Sequence, residues 1–320
     1  MLSKKSSVTW RFATSSTKKF PSLAREGLGS RMPTKAAQAR SLGISRQSLY
    51  YLPRQERKDE TLRDEILAIC REHPTYGHKR IAMYFAHHLK RRVNKKRIRR
   101  VMNKYHLVPK VMRKRKYVKN PTEDRIDIIP NRVKNIRAIQ PDVIWAGDFT
   151  ETWFKNRWVY LATVIDLYTR EVIAWQIGFH HTTQLILDVF EEASHKRLYM
   201  PMYFHSDQGS EYTSRACIAW LVKRDIEPSQ SPKGNPWYNG TQESFYNTFK
   251  LEFVETGGVR HSQTVEDLIE RIGKYLHYYN TQRIHSALKM PPKDFYNIRR
   301  WKKGRKKTKT KRVLIPRAEV

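Results

Sequence analysis

The sequence predicts an α/β fold, in which a mixed five-stranded sheet with flanking helices follows an all-α, helix-turn-helix-type region. Two observations predict this order. Apolar residues recur at helical spacing between about residues 34 and 108, and strand-like runs such as "DVIWAGDFTETWF" and "RWVYLATVIDLYT" begin near residue 142. The chain has 320 residues, enough for about two or three domains with buried cores.

The charge of the chain indicates a polyanionic partner. It carries 63 Lys and Arg residues against 30 Asp and Glu residues, a formal net charge of +33. Self-repulsion on this scale weakens a fold, so nucleic acid is the first candidate partner and an anionic membrane surface the second. No uninterrupted apolar run approaches the roughly 20 residues that span a bilayer. Cys70 and Cys217 lie in apolar helix-like patterns, which predicts buried thiols in a reducing compartment.

Residues 1–33 predict a disordered basic leader, because they are rich in Ser, Thr, Lys and Arg and contain one acid, Glu26. An organelle transit peptide has a similar composition and is the alternative. Residues 34–53 predict a helix-turn-helix, with Ser45 capping a second helix whose first residues, Arg46 and Gln47, are expected to contact DNA. Its predicted apolar spine consists of Ala37, Leu42, Ile44 and Leu49. An ordinary helical hairpin has the same pattern.

Residues 54–118 predict a basic helical domain. Its first helix has an apolar face made of Leu62, Ile66, Ile69 and Cys70. Residues 86–119 then contain 15 Lys and Arg residues and no acid, and an apolar stripe runs through them from Ile98 to Tyr105. Such a stretch folds and presents its charge in one direction, which favours a phosphate-contacting surface over a merely solvated face. The expected contacts are Lys95, Lys96, Arg97, Arg99 and Arg100.

Residues 119–140 contain two prolines and weak periodicity, which predicts a linker that packs along the next domain. Residues 141–298 then predict two strands of a hairpin, a third strand, a helix, a fourth strand, a helix and a short fifth strand. Three antiparallel strands followed by alternating helix and strand give the ribonuclease H-like order.

This strand order brings two carboxylates together. Asp148 lies in the middle of the first strand, in an otherwise apolar and aromatic run. An ionised Asp there is costly unless it is paired or coordinates a metal. Asp207 ends the fourth strand, within "HSDQGSEYTS", and the fourth strand lies beside the first. Gly209 is expected to let a substrate backbone approach.

A third carboxylate, Glu243, lies early in the helix of "NPWYNGTQESFYNTFKLEF". At about 100° per residue, Glu243 shares a sector with Asn247 and Lys250. Both are therefore expected to face bound DNA beside Glu243. The opposite sector is predicted to pack on the sheet and contains Phe245, Tyr246, Phe249 and Phe253.

The separation of Asp207 and Glu243 by 35 residues is the spacing of retroviral-type integrases. Together with "WAGDFT", "HSDQGSEYTS", "GNPWYNGTQESFYNTFKLE" and "YYNTQRIHSAL", it resembles the signatures of bacterial insertion-sequence transposases of the IS-three family (OrfB type). The chain departs from the family pattern at 235–239 and at Glu151. It also has no leucine heptads, so the downstream half of a longer active protein is expected.

The resemblance implies that Asp148, Asp207 and Glu243 are a catalytic triad that binds two Mg²⁺ ions, for which Mn²⁺ can substitute. Oxygen-only ligands suit these ions and do not suit zinc. The resemblance also implies that the protein cleaves double-stranded DNA at the ends of the element, which frees a 3′-hydroxyl, and then transfers that strand. The active form is expected to be at least a homodimer. It is expected to act at the nucleoid in the cytoplasm of a bacterium. Arg283 and His285 match the closing motif and are expected either to contact DNA or to brace the Glu243 helix.

Several alternatives accompany these expectations. The triad residues could form a structural ion-pair cluster, and the protein could be a catalytically silent DNA-binding regulator or a ribonuclease for RNA–DNA hybrids. Asp166 is predicted to form a turn near Thr169 and, less readily, to touch the metals. His205 is expected to position the Asp207 loop, and Glu151 and Glu211 to be exposed. Residues 299–320 predict a disordered, phosphate-binding basic tail.

Overall fold

The computed structural model describes residues 34–43, 45–50, 54–109, 129–231, 240–304 and 315–316. The chain divides into two compact units, Met1–Met112 and Arg113–Val320. The predicted leader, Ile44, the unusual stretch 235–239 and most of the predicted tail lie outside the described residues.

The first unit is helical. A 3₁₀ helix, Arg46–Tyr50, follows its first α-helix. The α-helices in its described residues are α1 (Lys35–Ser41), α2 (Arg54–Glu72), α3 (His78–His87) and α4 (Lys95–Lys104).

The prediction for residues 34–53 was wrong in two respects. Among the described residues of this segment, the second helix is a five-residue 3₁₀ turn, and Leu42 is 56% exposed where a spine residue should be buried. The cause is the early end of α1: Leu42 is its C-cap, and Gly43 follows with a φ of +63°. Ala37 is also exposed, and Ala39 is the buried residue of α1.

The predicted apolar faces of α2 and α4 are confirmed. Every residue of the predicted α2 face is less than 5% exposed. Within α4, Ile98, Val101 and Met102 are buried, and the Asn94 side chain caps the helix by accepting from the Lys96 N–H at 2.8 Å. Because the apolar stripe faces inward, the basic residues of α4 face outward.

The second unit contains the sheet. Its strands are β1 (Ile136–Arg137), β2 (Ile144–Phe154), β3 (Arg157–Asp166), β4 (Val172–Gly178), β5 (Tyr203–Ser206), β6 (Glu227–Gln230) and β7 (Ile315–Pro316). Its helices are α5 (Thr183–Lys196), α6 (Ser210–Thr213), α7 (Arg215–Val222), α8 (Gly240–Phe249), α9 (Val265–Thr281) and α10 (Pro292–Gly304). A π-helical turn, Lys250–Val254, continues α8.

The five-stranded sheet has the order β4-β3-β2-β5-β6, which confirms the ribonuclease H-like prediction. Strands β2, β3 and β4 pair antiparallel, and β5 and β6 are added in parallel. The β2–β3 hairpin turns at Lys155 and Asn156, whose φ values of +40° and +65° suit a tight two-residue turn.

Two apolar layers cover the sheet. One includes Phe190 of α5 and Leu221 of α7, and the other includes Phe249 of α8 and Ile272 of α9. The predicted inward face of the Glu243 helix is confirmed, because Phe245, Tyr246, Phe249 and Phe253 all belong to the second layer. Helix α8 thereby lies against β2, the strand that carries Asp148.

The end of the chain differs from the predicted tail. Helix α10 continues to Gly304, beyond the predicted tail start at residue 299, and β7 pairs with β1. Two contacts anchor α10: the Phe295 ring lies 5.3 Å from Tyr168, and the Arg197 guanidinium lies 3.9 Å from the Tyr296 ring. Among the described residues, no helix is both long and apolar enough to cross a membrane.

Candidate active site

Strands β2 and β5 place Asp148 and Asp207 at the same level of the sheet. Their parallel register aligns Ala146 with His205, and each acid lies two residues further along its own strand direction. Strand β5 ends at Ser206, so Asp207 is the first residue beyond the ladder and is exposed. Asp148 is half-buried and continues within β2.

Helix α8 brings Glu243 to the same strand. Glu243 lies in the first turn of α8 and is half-buried. The neighbouring Gln242 donates to the Ala146 carbonyl at 2.8 Å, and the Tyr246 hydroxyl donates to the carbonyl of Asp148. The helix therefore contacts the backbone of Asp148 directly.

The charges of Asp207 and Glu243 both act on the carboxyl group of Asp148. Burial and then the negative charge of Asp207 raise the pKa of Asp148 to about 7. The Phe149 N–H, which donates to Asp148 Oδ1 at 2.8 Å, opposes this rise in pKa; the charge of Glu243 adds to it, and that of Lys250 opposes it. A carboxyl with such neighbours favours the approach of a cation.

The carboxylates are not gathered into a closed ligand cluster. Within the described part of the chain, no group of three His, Cys, Asp or Glu side chains is close enough to hold a metal ion. Repulsion among like charges acts against such a cluster, as the raised pKa of Asp148 indicates. The donor set itself, three carboxylates with only oxygen atoms, fits Mg²⁺ or Mn²⁺.

Two glycines make room around these acids. A Cβ atom at Gly147 would lie 2.4 Å from the Phe204 ring, so no larger residue fits beside Asp148 without rearrangement. A Cβ atom at Gly209 would lie 3.1 Å from Asp207 Oδ1 and equally close to Glu211 Oε2. Gly209 thus accommodates the Asp207 carboxylate, which accepts the Gly209 N–H at 3.0 Å.

Glu211 was predicted to be exposed, and this prediction was wrong. Its side chain is 11% exposed, and its Oε1 lies 2.5 Å from Nδ1 of His181. The His181 ring in turn lies 3.9 Å from the ring of Phe149, next to Asp148. No sequence pattern indicates this pair beyond the "HH" that precedes α5. Glu151 is exposed, as expected.

His205 and Asp166 have structural roles. Both ring nitrogens of the buried His205 contact serine hydroxyls, Ser229 at 3.0 Å and Ser231 at 2.9 Å, which ties the end of β5 to β6. Burial lowers the pKa of His205 to about 4, so the ring is neutral at pH 7. The turn predicted for Asp166 is confirmed, because its Oδ1 accepts the Thr169 N–H at 2.9 Å.

The predicted DNA contacts fall into two groups, residues that are exposed and residues that are half-buried or buried. One group is exposed and consists of Arg46, Gln47, Lys95, Lys96, Arg97, Arg99, Arg100, Asn247 and Lys250. Within it, Arg100 also donates two hydrogen bonds, of 2.7 and 2.6 Å, to the buried Asp59. His285 is half-buried, and its backbone N–H donates to Met290 at 3.1 Å.

Arg283 requires a correction. Its side chain is 2% exposed and donates to both carboxylate oxygens of Glu252, at 2.7 and 2.9 Å. A guanidinium enclosed in this way is not available to a DNA phosphate. Since Glu252 lies in the π-helical turn that continues α8, Arg283 braces the Glu243 helix, the other role that its motif suggested.

Comparisons with known proteins agree with this architecture. Family models described as integrase core domain match residues 138–236 and 224–292, and an HTH-like domain matches residues 56–116. The transposase for insertion sequence element IS904 of Lactococcus lactis is 34% identical over 76% of this chain and 96% of its own length. The transposase InsF for insertion sequence IS3A of Escherichia coli is 33% identical over 47% of this chain and 51% of its own length.

Among solved structures, the HTLV-2 integrase catalytic core domain in complex with magnesium is 18% identical over 50% of this chain and 99% of that chain, with a TM-score of 0.43. The matching family models and the transposase relatives define this chain as an enzyme with an integrase catalytic core. It is a polynucleotidyl transferase that acts in DNA transposition. The chain belongs to the insertion-sequence transposases of the IS3 family.

Proposed function

We propose that this transposase binds the ends of a mobile DNA element, cleaves each end to free a 3′-hydroxyl, and joins that hydroxyl to a second DNA strand. The observation that carries the proposal is the placement of Asp148 in β2 beside Asp207, which directly follows the neighbouring parallel strand β5, with Glu243 held against β2 by α8. We propose these three as the catalytic residues.

The same three carboxylates would hold two Mg²⁺ ions, with Mn²⁺ able to substitute. Two such ions supply charge stabilisation for both the attacking and the leaving oxygen of a phosphodiester displacement. The chain contributes the ligand oxygens and fixes Asp148 through the Phe149 N–H. The charge of Asp207 and Glu243 that raises the pKa of Asp148 also supports cation binding.

Basic residues would bind the DNA in two places. Lys250 is exposed about two helical turns beyond Glu243, and its charge already acts on Asp148, which supports a contact with a phosphate close to the scissile bond. The exposed cations of α4 would contact phosphates of the element end. Each transposition joins two ends, so the active form would be a homodimer or larger, working on DNA at the bacterial nucleoid.

The test is metal-dependent nicking of duplexes that carry the element end, compared between the unsubstituted chain and Asp207→Asn. The substitution removes a ligand charge but keeps the side-chain shape, so we expect nicking to fall by roughly a thousandfold, equivalent to about 4 kcal/mol of lost stabilisation. Binding of the same duplex in a gel-shift assay should change less than about twofold. Asp188→Asn, at an exposed position of α5, is the matched control.

The outcomes separate the competing functions. Equal nicking by Asp207→Asn and by the unsubstituted chain would contradict the catalytic assignment. An unsubstituted chain that binds ends tightly yet never nicks them in Mg²⁺ or Mn²⁺ would favour the DNA-binding regulator. Cleavage restricted to RNA–DNA hybrids would favour the ribonuclease.

A further inference from the structure

Gln242, the residue before Glu243, is a fully buried polar side chain in the first turn of α8. Its Nε2 donates to two backbone carbonyls, Ala146 of β2 at 2.8 Å and Thr163 of β3 at 3.2 Å. Both N–H hydrogen bonds of this amide go to strand backbone, so they join the helix to two adjacent strands at once.

Tyr246, one turn further along α8, makes the second tie. Its hydroxyl donates to the Asp148 carbonyl and lies 2.8 Å from Thr163 Oγ1. Thr163 Oγ1 also lies 3.4 Å from Gln242 Oε1, so this hydroxyl contacts both of these polar side chains of α8. Thr163 is also the residue that faces Asp148 across the β2–β3 ladder, and both Thr163 and Tyr246 are buried.

We infer that Gln242 is a positioning residue which, with Tyr246 and Thr163, fixes the place of the Glu243 carboxylate relative to Asp148. The inference rests on the proposed function, in which these two acids act on the same metal ions. Gln242 precedes Glu243 by one residue and Tyr246 follows it by three, so the hydrogen bonds lie on both sides of the acid along the helix.

Apolar packing alone would fix α8 less strictly. Phe245 and Phe249 pack in the layer shared with α9, and contacts of this kind are non-directional. Hydrogen bonds tolerate only narrow ranges of distance and angle, and a buried donor left without a partner is costly. A small shift of α8 is therefore opposed by the Gln242 and Tyr246 bonds more than by the phenylalanines.

The test uses near-isosteric variants of the full chain. Gln242→Met keeps length and burial but removes the amide, and Thr163→Val removes the hydroxyl, which Thr163→Ser retains. Gln184→Met, at an exposed position of α5, is the matched control. Three quantities are measured for each variant: the rate of end nicking at saturating DNA, the Mn²⁺ concentration for half-maximal nicking, and Mn²⁺ binding by electron paramagnetic resonance without DNA.

We expect Gln242→Met and Thr163→Val to lower the saturated nicking rate by about 10- to 100-fold, because small misplacements of catalytic groups have effects of this size. Their half-maximal Mn²⁺ concentration and Mn²⁺ dissociation constant should both rise several-fold, while the dissociation constant for end DNA changes less than about twofold. Thr163→Ser and Gln184→Met should match the unsubstituted chain.

A merely structural role would give a different result. Nicking, DNA binding and the folded fraction would then fall together in Gln242→Met while its Mn²⁺ dependence stayed unchanged, and this result would overturn the inference. If nicking and its Mn²⁺ dependence are both unchanged in Gln242→Met, the inference is overturned while the proposed function stands. An unsubstituted chain that neither binds Mn²⁺ nor nicks DNA would remove the proposed function, and the inference with it.

Discussion

Three arginines of the first unit and two arginines of the second unit lie in opposite surroundings. On α4 of the first unit, Arg97, Arg99 and Arg100 are exposed on the face opposite the apolar stripe. In the second unit, the side chains of Arg197 and Arg283 are each only 2% exposed and lie against carboxylates, at 2.6 Å from Glu171 and 2.7 Å from Glu252 respectively. Arg100 is intermediate, since it is 48% exposed and paired with the buried Asp59.

Under the proposed function, this difference gives one residue type two tasks in the transposase. Exposed cations can exchange their counterions for DNA phosphates, whereas a buried guanidinium joins elements that lie far apart in the chain. Arg197 illustrates the second task, because it follows α5, contacts Glu171 before β4 and stacks on Tyr296 of α10. Motif matching alone does not distinguish the two tasks.

The largest expected effect is at Arg283. Arg283→Met leaves the Glu252 carboxylate buried beside Tyr275 without its partner, so the free energy of unfolding should fall by about 3–5 kcal/mol. Urea unfolding measures this change, and Arg283→Met combined with Glu252→Gln should recover most of it. A normal unfolding curve together with weakened binding of end DNA would instead show that Arg283 contacts DNA after all.

A smaller effect on stability is expected on α4. Lys96→Gln and Arg99→Gln remove exposed cations, so each should change the free energy of unfolding by less than about 0.5 kcal/mol. A plot of the logarithm of the DNA-binding constant against the logarithm of the salt concentration should also become less steep for each variant, by about the amount that one phosphate contact contributes. Exposed Lys274 of α9, which pairs with Glu270, provides the control Lys274→Gln. If the salt dependence of DNA binding is unchanged in both α4 variants, the DNA binds to a surface other than α4.

The core of the fold was predictable because local patterns determine it. Strand-like alternation and helical spacing gave the element order, and the order fixed which strands are neighbours, so Asp148 and Asp207 could be placed side by side. The inward face of α8 followed from spacing alone. These inferences use only residues within one element and a topology rule.

The hydrogen bonds and ion pairs that join the elements could not be predicted, because the two partners of each lie far apart in the sequence. Gln242 bonds to Ala146, 96 residues away, and Arg283 pairs with Glu252, 31 residues away. Side chains of this length reach several possible partners, and only the packed structure selects one. The contact between Glu211 and His181 is a similar case. The error at Leu42 has a different cause, because α1 ends one residue before it.

The central claim is that mutual repulsion among Asp148, Asp207 and Glu243 is relieved by divalent cations. The raised pKa of Asp148, about 7, means that its contribution to stability is fully present below about pH 4 and is lost as the pH rises through 7. At pH 8 without divalent ions, Asp148→Asn should therefore raise the free energy of unfolding by about 1–3 kcal/mol, and at pH 4 this gain should vanish.

The most direct measurement is thermal unfolding of the unsubstituted chain and Asp148→Asn at pH 8, with and without Mn²⁺. Mn²⁺ should stabilise the unsubstituted chain by about 2.7 kcal/mol at a hundredfold excess over its dissociation constant and leave Asp148→Asn nearly unchanged. Equal stabilisation of both proteins by Mn²⁺, or of neither, would contradict the claim that these carboxylates form the metal site.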